Sequence, residues 1–208
     1  MSLHPERRRA LAASLILGAA ALAGCAPVIV GGAMIGGVLA ATDRRTTGTQ
    51  LEDQAIELKA MNRVREQFGE RGHVNATSYN RLVLITGEVP TEADRAAVEQ
   101  TISRIENVKS VVNELAVMGN SSLTSRSNDA ILSSKVKATF IDAKDLMANA
   151  FKVTAERGTI YLMGRVTERE ANTATELARS VSGVQRVVRV FEFISEAELA
   201  RMLPPPPR

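Results

Sequence analysis

The stretch Met163-Gly164-Arg165-Val166 repeats Thr86-Gly87-Glu88-Val89, which lies 77 positions earlier in a chain of 208 residues. The other repeated pairs are Ala55-Ile56 with Ala130-Ile131, 75 positions apart, and Asn107-Val108-Lys109-Ser110-Val111-Val112 with Gly183-Val184-Gln185-Arg186-Val187-Val188, 76 apart. Self-similarity at a nearly constant spacing is typical of a duplicated structural unit. The sequence therefore predicts two copies of one domain.

In the first copy, apolar residues recur every three or four positions, which predicts an amphipathic helix. These residues are Leu51, Ala55, Leu58, Met61, Val64 and Phe68. Two strands at 74–78 and 81–89 follow, and Thr91 opens a second helix that runs to about Ile105, with Asp94 in a loose capping-box position. A third strand is expected at 108–118.

The second copy shows the same order of patterns. Its first helix is expected to open at Ser127-Asn128-Asp129, a run of residues that favour the N-cap. The remaining elements are strands at 151–156 and 159–166 with a turn at Arg157-Gly158, a helix at 168–181 and a strand at 184–194. Each copy thus reads α-β-β-α-β, which predicts an α+β fold with a three-stranded sheet packed on two helices.

These elements define a domain plan with two copies, at 51–118 and 127–195, joined by a linker at 119–126. Residues 196–208 hold one or two helical turns and a proline-rich tail. Three glycines are interpreted as fold residues. Gly87 and Gly164 end strands, where backbones approach closely, and Gly158 supplies a positive φ in its turn.

The N-terminal part of the chain has the layout of an export signal. A basic start with Arg7, Arg8 and Arg9 precedes an apolar run at 10–23, and Cys25, the single cysteine, follows. The alternative is a stray thiol behind a transmembrane helix, although the run is short for a span. Residues 26–41 are apolar and glycine-rich, and they are interpreted as a membrane-proximal or flexible segment rather than a helix-packing face.

The element order, the strand-end glycine and the paired valine of the third strand resemble the BON domain. Two such domains behind Leu22-Ala23-Gly24-Cys25, which is similar to a lipobox, resemble the dual-BON outer-membrane lipoproteins associated with division and envelope stress. The resemblance implies removal of residues 1–24, acylation (including palmitate) of Cys25, and a lipidated N-terminus and linker at 25–50. It also implies attachment to the outer membrane facing the periplasm, and a role in envelope integrity and at division sites.

The sequence contains no recognisable catalytic constellation. After residue 24, His73 is the sole histidine, so Cys/His metal sets and Cys-His pairs are excluded. Acidic pairs such as Glu168 and Glu170 are expected at solvated helix ends. We therefore expect no enzyme activity, no metal and no cofactor besides the acyl lipid. Residues 25–208 carry 23 basic and 22 acidic side chains, a balance that argues against nucleic acid as a partner.

The charge differs between the copies, since residues 51–118 are net −3 and residues 127–194 are net +2. On the first helix of the second copy, the positions of Leu132, Val136, Thr139, Phe140 and Ala143 form the expected core face. The opposite face, with lysines at its margins, comprises Ile131, Ser134, Lys135, Lys137, Ala138 and Ile141.

An outward apolar face bordered by lysines suits shallow insertion into a membrane with anionic head groups. The family resemblance implicates the same helix, with phosphatidylglycerol or cardiolipin as the phospholipid. Two alternatives stay open at this point. Ile131 and Ile141 could pack against the first copy as an interdomain seam, or the helix could serve as a scaffold for outer-membrane assembly or envelope-stress proteins.

Overall fold

A computed structural model of the chain describes residues 43–69 and 71–202. The first domain consists of α1 (Thr47–Phe68), β1 (His73–Tyr79), β2 (Leu82–Val89), α2 (Glu92–Ser103), β3 (Ser110–Asn113) and β4 (Ala116–Val117). The second consists of α3 (Leu123–Asp142), a 3-10 turn (Ala148–Ala150), β5 (Phe151–Glu156), β6 (Thr159–Val166), α4 (Glu168–Ser180) and β7 (Arg186–Phe193). A final helix, α5 (Glu196–Met202), follows. None of the helices in these ranges combines the length and the hydropathy that a membrane crossing requires.

Both domains have the same sheet topology. A hairpin joins the first two strands antiparallel, as β1–β2 and as β5–β6. The strand that follows the second helix then pairs parallel to the hairpin's second strand, as β3 and β4 on β2 and as β7 on β6. Two parallel strands need a crossover connection between them, and the second helix of each domain supplies it. The α+β fold of two tandem units is confirmed.

Each sheet has one face covered by its own two helices. The buried residues of the first core are Ile56, Ala60, Val64, Phe68, Val74, Val83, Ile85, Val89, Val98, Ile102, Ile105 and Leu115. Those of the second include Leu132, Val136, Phe140, Phe151, Val153, Ile160, Leu162, Val166, Ala171, Ala174 and Ala178. Aromatic side chains are few, and Phe151 packs edge-on against both Phe140 and Phe191 at centroid distances of 5.4 and 5.9 Å.

The opposite faces of the two sheets pack against each other and form the junction between the domains. Because side chains alternate along a strand, Leu84 of β2 and Tyr161 and Met163 of β6 point away from their own helices. They meet Tyr79 and Val190 in a third apolar cluster that belongs to both domains. The central strands are therefore buried on both faces along almost their whole length.

The first helix, α1, differs from its prediction in start and in orientation. It begins at Thr47, because the Thr46 side chain accepts a hydrogen bond from the Thr49 backbone N–H and caps the helix. The side chains that enter the core are Ile56, Ala60, Val64 and Phe68. Leu51, Ala55 and Leu58 are exposed instead. The sequence carries two apolar stripes on this helix, and the sheet covers only one of them.

The helix α3 begins four residues before its predicted start. Ser122 is the N-cap, since its side chain accepts the Ser125 backbone N–H at 3.1 Å, so the helix opens at Leu123 rather than at Ser127. Asp129 is not a cap. Its carboxylate is buried and accepts the backbone N–H groups of Arg157 and Gly158, both at 2.9 Å.

Asp53 makes the equivalent contact in the first domain, where it accepts the backbone N–H groups of Asn80 and Arg81 at 2.8 Å. The two aspartates lie 76 positions apart. The helices therefore repeat with an offset of 76, and the offset of 75 suggested by Ala55-Ile56 and Ala130-Ile131 is wrong.

The third strand of the first domain is interrupted, whereas the sequence pattern predicts a continuous one. Its two pieces keep one register on β2, and the gap at Glu114 and Leu115 lies opposite Thr86 and Gly87. Gly87 has a φ of 116°, outside the range of an extended strand. The Asn113 side chain accepts the Leu115 backbone N–H across the gap. The distortion at Gly87 thus breaks the neighbouring ladder.

Candidate functional site

The residues predicted to bind phospholipid all lie on the solvent-exposed surface of α3. Ile131 is 55% exposed and Ile141 is 72% exposed, which is unusual for isoleucine in a folded protein. The other members are exposed as well: Ser134, Lys135, Lys137 and Ala138. The structure therefore places the six side chains together on one surface, which we call the α3 face.

The core contacts of α3 set the orientation of this face. Leu132, Val136 and Phe140 recur every four residues and are buried against the sheet and α4. Of the other predicted core positions, Thr139 and Ala143 are only half-buried. Side chains four apart share one side of a helix, so the α3 face is held on the opposite side.

The α3 face is apolar at its centre and cationic at its edge. A shallow depression on this face is lined by Ala130, Ile131, Ser134, Lys135 and Ala138. The Ser134 hydroxyl donates to the Ala130 carbonyl at 2.9 Å, so its hydrogen-bonding capacity is partly met within the helix. Within the described residues, no carboxylate forms an ion pair with Lys135 or Lys137. Both ammonium groups are therefore available to an anionic partner.

The interdomain seam proposed as an alternative for Ile131 and Ile141 is wrong. The junction between the domains is made by the two sheets, through Tyr79, Leu84 and Tyr161. The helices lie on the outer sides of this junction because each sheet can bury only one face against its own helices. Neither isoleucine belongs to a buried cluster.

The predicted lipid-attachment residue, Cys25, and the segment 26–41 lie outside the described residues. So does the proline-rich tail at 203–208. The polar stretch at 43–50, interpreted as the end of a linker, is structured from Asp43 onward and begins α1 at Thr47.

The three glycines singled out in the sequence occupy tight positions. A Cβ on Gly87 would lie 1.9 Å from the His73 carbonyl oxygen, and one on Gly164 would lie 2.5 Å from the Ala150 carbonyl oxygen. Gly158 has a φ of 69° in the β5–β6 turn and packs on the side chain of Gln185. All three contribute to the fold and none lies on the α3 face.

Sequence reasoning missed a buried ion pair between the domains. The Arg44 guanidinium donates to both carboxylate oxygens of Glu170, at 2.6 and 2.8 Å, and to the Arg165 carbonyl. Glu170 was expected at a solvated helix end, but its side chain is only 5% exposed. It also closes a capping box with Thr167. Burial opposes its charge, yet the hydrogen bonds from Arg44 and the Thr167 backbone lower its pKa.

A second polar cluster surrounds Asp53. Besides the turn amides, its carboxylate accepts the Ser78 hydroxyl at 2.7 Å and the Arg45 guanidinium at 2.8 Å. Burial works against the charged form, but these four donors together lower the pKa of Asp53. The Arg45 guanidinium lies 4.2 Å from the ring centre of Tyr79. Burial of the Tyr79 hydroxyl raises its pKa to about 12. The repeat of an aspartate at 76 residues was the signal that could have located this cluster.

The chain matches known proteins over most of its length. The BON domain family model matches residues 52–119 and 128–194. The chain is 37% identical to the outer membrane lipoprotein DolP of Haemophilus influenzae over 198 residues, covering 93% of this chain and 100% of that protein. It is 28% identical to the 21 kDa hemolysin of Actinobacillus pleuropneumoniae, covering 73% and 79% of the two chains.

Solved structures give a weaker likeness. The C-terminal domain of CdsD, a structural protein of the type III secretion system of Chlamydia trachomatis, aligns with 9% identity and a TM-score of 0.29 over 66% of this chain and 96% of its own. The sequence matches, together with the duplicated α-β-β-α-β units, identify the family. The chain belongs to the BON-domain proteins, as an outer-membrane lipoprotein with two BON domains.

Proposed function

We propose that this lipoprotein binds anionic phospholipid through the α3 face of its second BON domain and that it has no catalytic role. The observation that carries the proposal is the exposure of Ile131 and Ile141 beside two lysines without carboxylate partners in the described part of the chain. Phosphatidylglycerol and cardiolipin supply the negative head groups that this surface suits. The acyl lipid expected on Cys25 keeps the protein at the membrane, so the α3 face needs only a modest affinity.

The energetics fit a reversible contact. Burying one isoleucine side chain contributes about 1.5–3 kcal/mol. Each lysine contributes on the order of 1 kcal/mol near an anionic surface. The contribution of the lysines depends on salt, because exposed charges are screened beyond roughly 8 Å at physiological ionic strength.

Flotation of residues 43–208 with lipid vesicles tests this proposal. This fragment holds both hydrophobic cores and the Arg44–Glu170 pair, and it lacks Cys25, so the lipid anchor does not dominate the measurement. We expect binding to vesicles that contain phosphatidylglycerol and at least tenfold weaker binding after Ile131→Glu combined with Lys137→Glu.

The first domain offers a control that is matched in charge and lies on the equivalent helix. With the offset of 76, Ala55 and Lys59 of α1 correspond to Ile131 and Lys135 of α3, and both are exposed. The double change Ala55→Glu and Lys59→Glu alters the net charge by the same amount and should leave vesicle binding unchanged. Equal losses in the two double variants, or retained binding in the α3 variant, would falsify the proposal.

The envelope role follows from the same surface and remains part of the proposal. A protein that holds the outer membrane through its anchor and samples anionic phospholipid through α3 concentrates where such lipids collect, including division sites. The scaffold alternative uses the same helix for outer-membrane assembly or envelope-stress proteins. Vesicle binding that is lost only in the α3 variant favours the lipid.

A further inference from the structure

A second cluster of ionisable side chains lies at the junction of the domains, away from the α3 face. It contains His73 at the start of β1, Glu88 near the end of β2 and Glu156 at the end of β5. One ligand atom from each of the three lies within 4.8 Å of the others. We propose that these residues bind a divalent cation of the zinc type, which links the two BON domains.

The sheet geometry brings the three side chains together. His73 and Glu88 are directly opposite each other in the β1–β2 ladder, so their side chains leave the sheet on the same face. That face is the one that meets the second sheet. Glu156 lies on the facing strand β5, and it is linked to β1 through a hydrogen bond from the Asn75 side-chain amide at 3.3 Å. Two domains thus contribute ligands to one position.

The imidazole has a free ligand atom directed at the carboxylates. His73 Nδ1 is buried and has no hydrogen-bond partner. It lies 3.4 Å from Glu88 Oε2. Two ligand atoms that each lie about 2.0–2.1 Å from a tetrahedral zinc ion are separated by about 3.4 Å. The spacing therefore fits two ligands of one ion.

The carboxylates supply negative charge in a buried place. Glu88 is fully buried and Glu156 is 3% exposed. Burial and the nearby charge of Glu88 raise the pKa of Glu156, which shows that the two carboxylates repel each other. A divalent cation between them relieves this repulsion. One imidazole nitrogen with two carboxylate oxygens is a donor set suited to zinc, with a fourth position open to water.

The charged side chains around the site lower its affinity for a cation but do not abolish it. Arg157 donates to Glu88 Oε1 at 2.7 Å, whereas Oε2, which accepts from Ser121, is the oxygen nearer His73. Arg126 and Asp129 line the adjacent 240 Å³ cavity together with His73 and Glu156. With the imidazole neutral, the net charge of the site is −1. It is the sum over two arginines and three carboxylates: Arg126, Arg157, Glu88, Asp129 and Glu156. The cavity gives the ion a path from solvent.

Zinc titration of the full chain tests the proposal. The protein is purified in detergent with a tag that lacks histidine, treated with a chelator and titrated with Zn²⁺ in competition with a chromophoric chelator. We expect one zinc ion per chain and a rise in melting temperature that Mg²⁺ does not produce. Because His73 is the sole histidine after residue 24, its ¹⁵N-imidazole resonances report directly whether Nδ1 binds the ion.

Variants locate the site. Glu156→Gln and His73→Gln should each weaken zinc binding by at least about tenfold. Glu57→Gln is the matched control, since Glu57 is also a carboxylate between the domains, paired with Lys152 at 2.5 Å, and lies outside the cluster. Melting of each metal-free variant checks that it folds. Absence of zinc binding in the unaltered chain, an unmoved His73 resonance, or full affinity in folded Glu156→Gln overturns the proposal.

Discussion

The two BON domains have the same element order, yet their first helices present different surfaces to solvent. With the 76-residue offset, Ile131 and Ile141 of α3 correspond to Ala55 and Arg65 of α1. The inward residues are apolar in both domains, because both must cover a sheet. The outward residues are unconstrained by packing, so they are free to differ. The duplication therefore leaves α3 with exposed isoleucines beside lysines, whereas α1 exposes leucines at other positions, Leu51 and Leu58.

A second difference concerns the backbone. In the first domain, Gly87 adopts a φ of 116° and the strand beside it is broken at Glu114 and Leu115. In the second domain, Gly164 pairs with Phe191 in an unbroken ladder. The equivalent glycines of the repeated motif thus lie in a distorted strand in the first domain and in a regular strand in the second.

The largest expected effect comes from substituting these two equivalent glycines. Gly87→Ala should lower the free energy of unfolding by roughly 4 kcal/mol or more, because its φ disfavours any side chain and its Cβ would meet the His73 carbonyl. Gly164→Ala should cost less, since its contact with the Ala150 carbonyl is longer and its φ is not positive. Urea unfolding of residues 43–208 measures both. An equal loss for the two variants contradicts this reading of the strand.

The next effect concerns the starts of the crossover helices. Glu170→Gln should cost about 3–5 kcal/mol, because it leaves the Arg44 charge buried without its partner. The matching change in the first domain, Asp94→Asn, should cost less than about 1 kcal/mol, since Thr91 is the N-cap of α2 and the ion-pair partner of Asp94 is the exposed Arg71, at 3.4 Å. Urea unfolding of the two variants at neutral pH measures the difference.

The pH dependence of the Glu170 effect can be derived from its pKa. The pKa is lowered from 4.5 in the folded state, so the folded carboxyl binds a proton less readily than the unfolded one. The stability from this pair is therefore fully present above about pH 5 and is lost as the pH falls through the folded pKa. The difference between the unaltered protein and Glu170→Gln should shrink below pH 4.5. A difference that stays constant to pH 3 contradicts the ion-pair explanation.

The smallest effect compares the two aspartates that bind the hairpin turns. Asp53 accepts four hydrogen bonds, including one from the Arg45 guanidinium, whereas Asp129 accepts two backbone N–H groups. Asp53→Asn should cost about 2–3 kcal/mol and Asp129→Asn about 1 kcal/mol. Thermal or urea unfolding ranks the variants, and a larger loss at Asp129 would show that the turn contact outweighs the charged pair.

Much of this fold was predictable, and the errors have physical causes. The hairpin strands and the cap at Thr91 followed from local pattern and short-range hydrogen bonds. The orientation of α1 was wrong because its two apolar stripes satisfy the same periodicity. The role of Asp129 was wrong because an aspartate near a helix start resembles a cap until the turn that it binds is present. The α3 face was visible in the sequence, since it depends on the geometry of one helix.

By itself, the sequence determined the duplication, the α-β-β-α-β order and the arrangement of isoleucines and lysines around one helix, because these depend on spacing along the chain. Only the tertiary structure decided that the sheets rather than the helices join the domains. It also decided that Arg44 meets Glu170 and that His73, Glu88 and Glu156 converge. These contacts join residues far apart in the chain, and their formation depends on which sheet faces remain uncovered after each domain has folded.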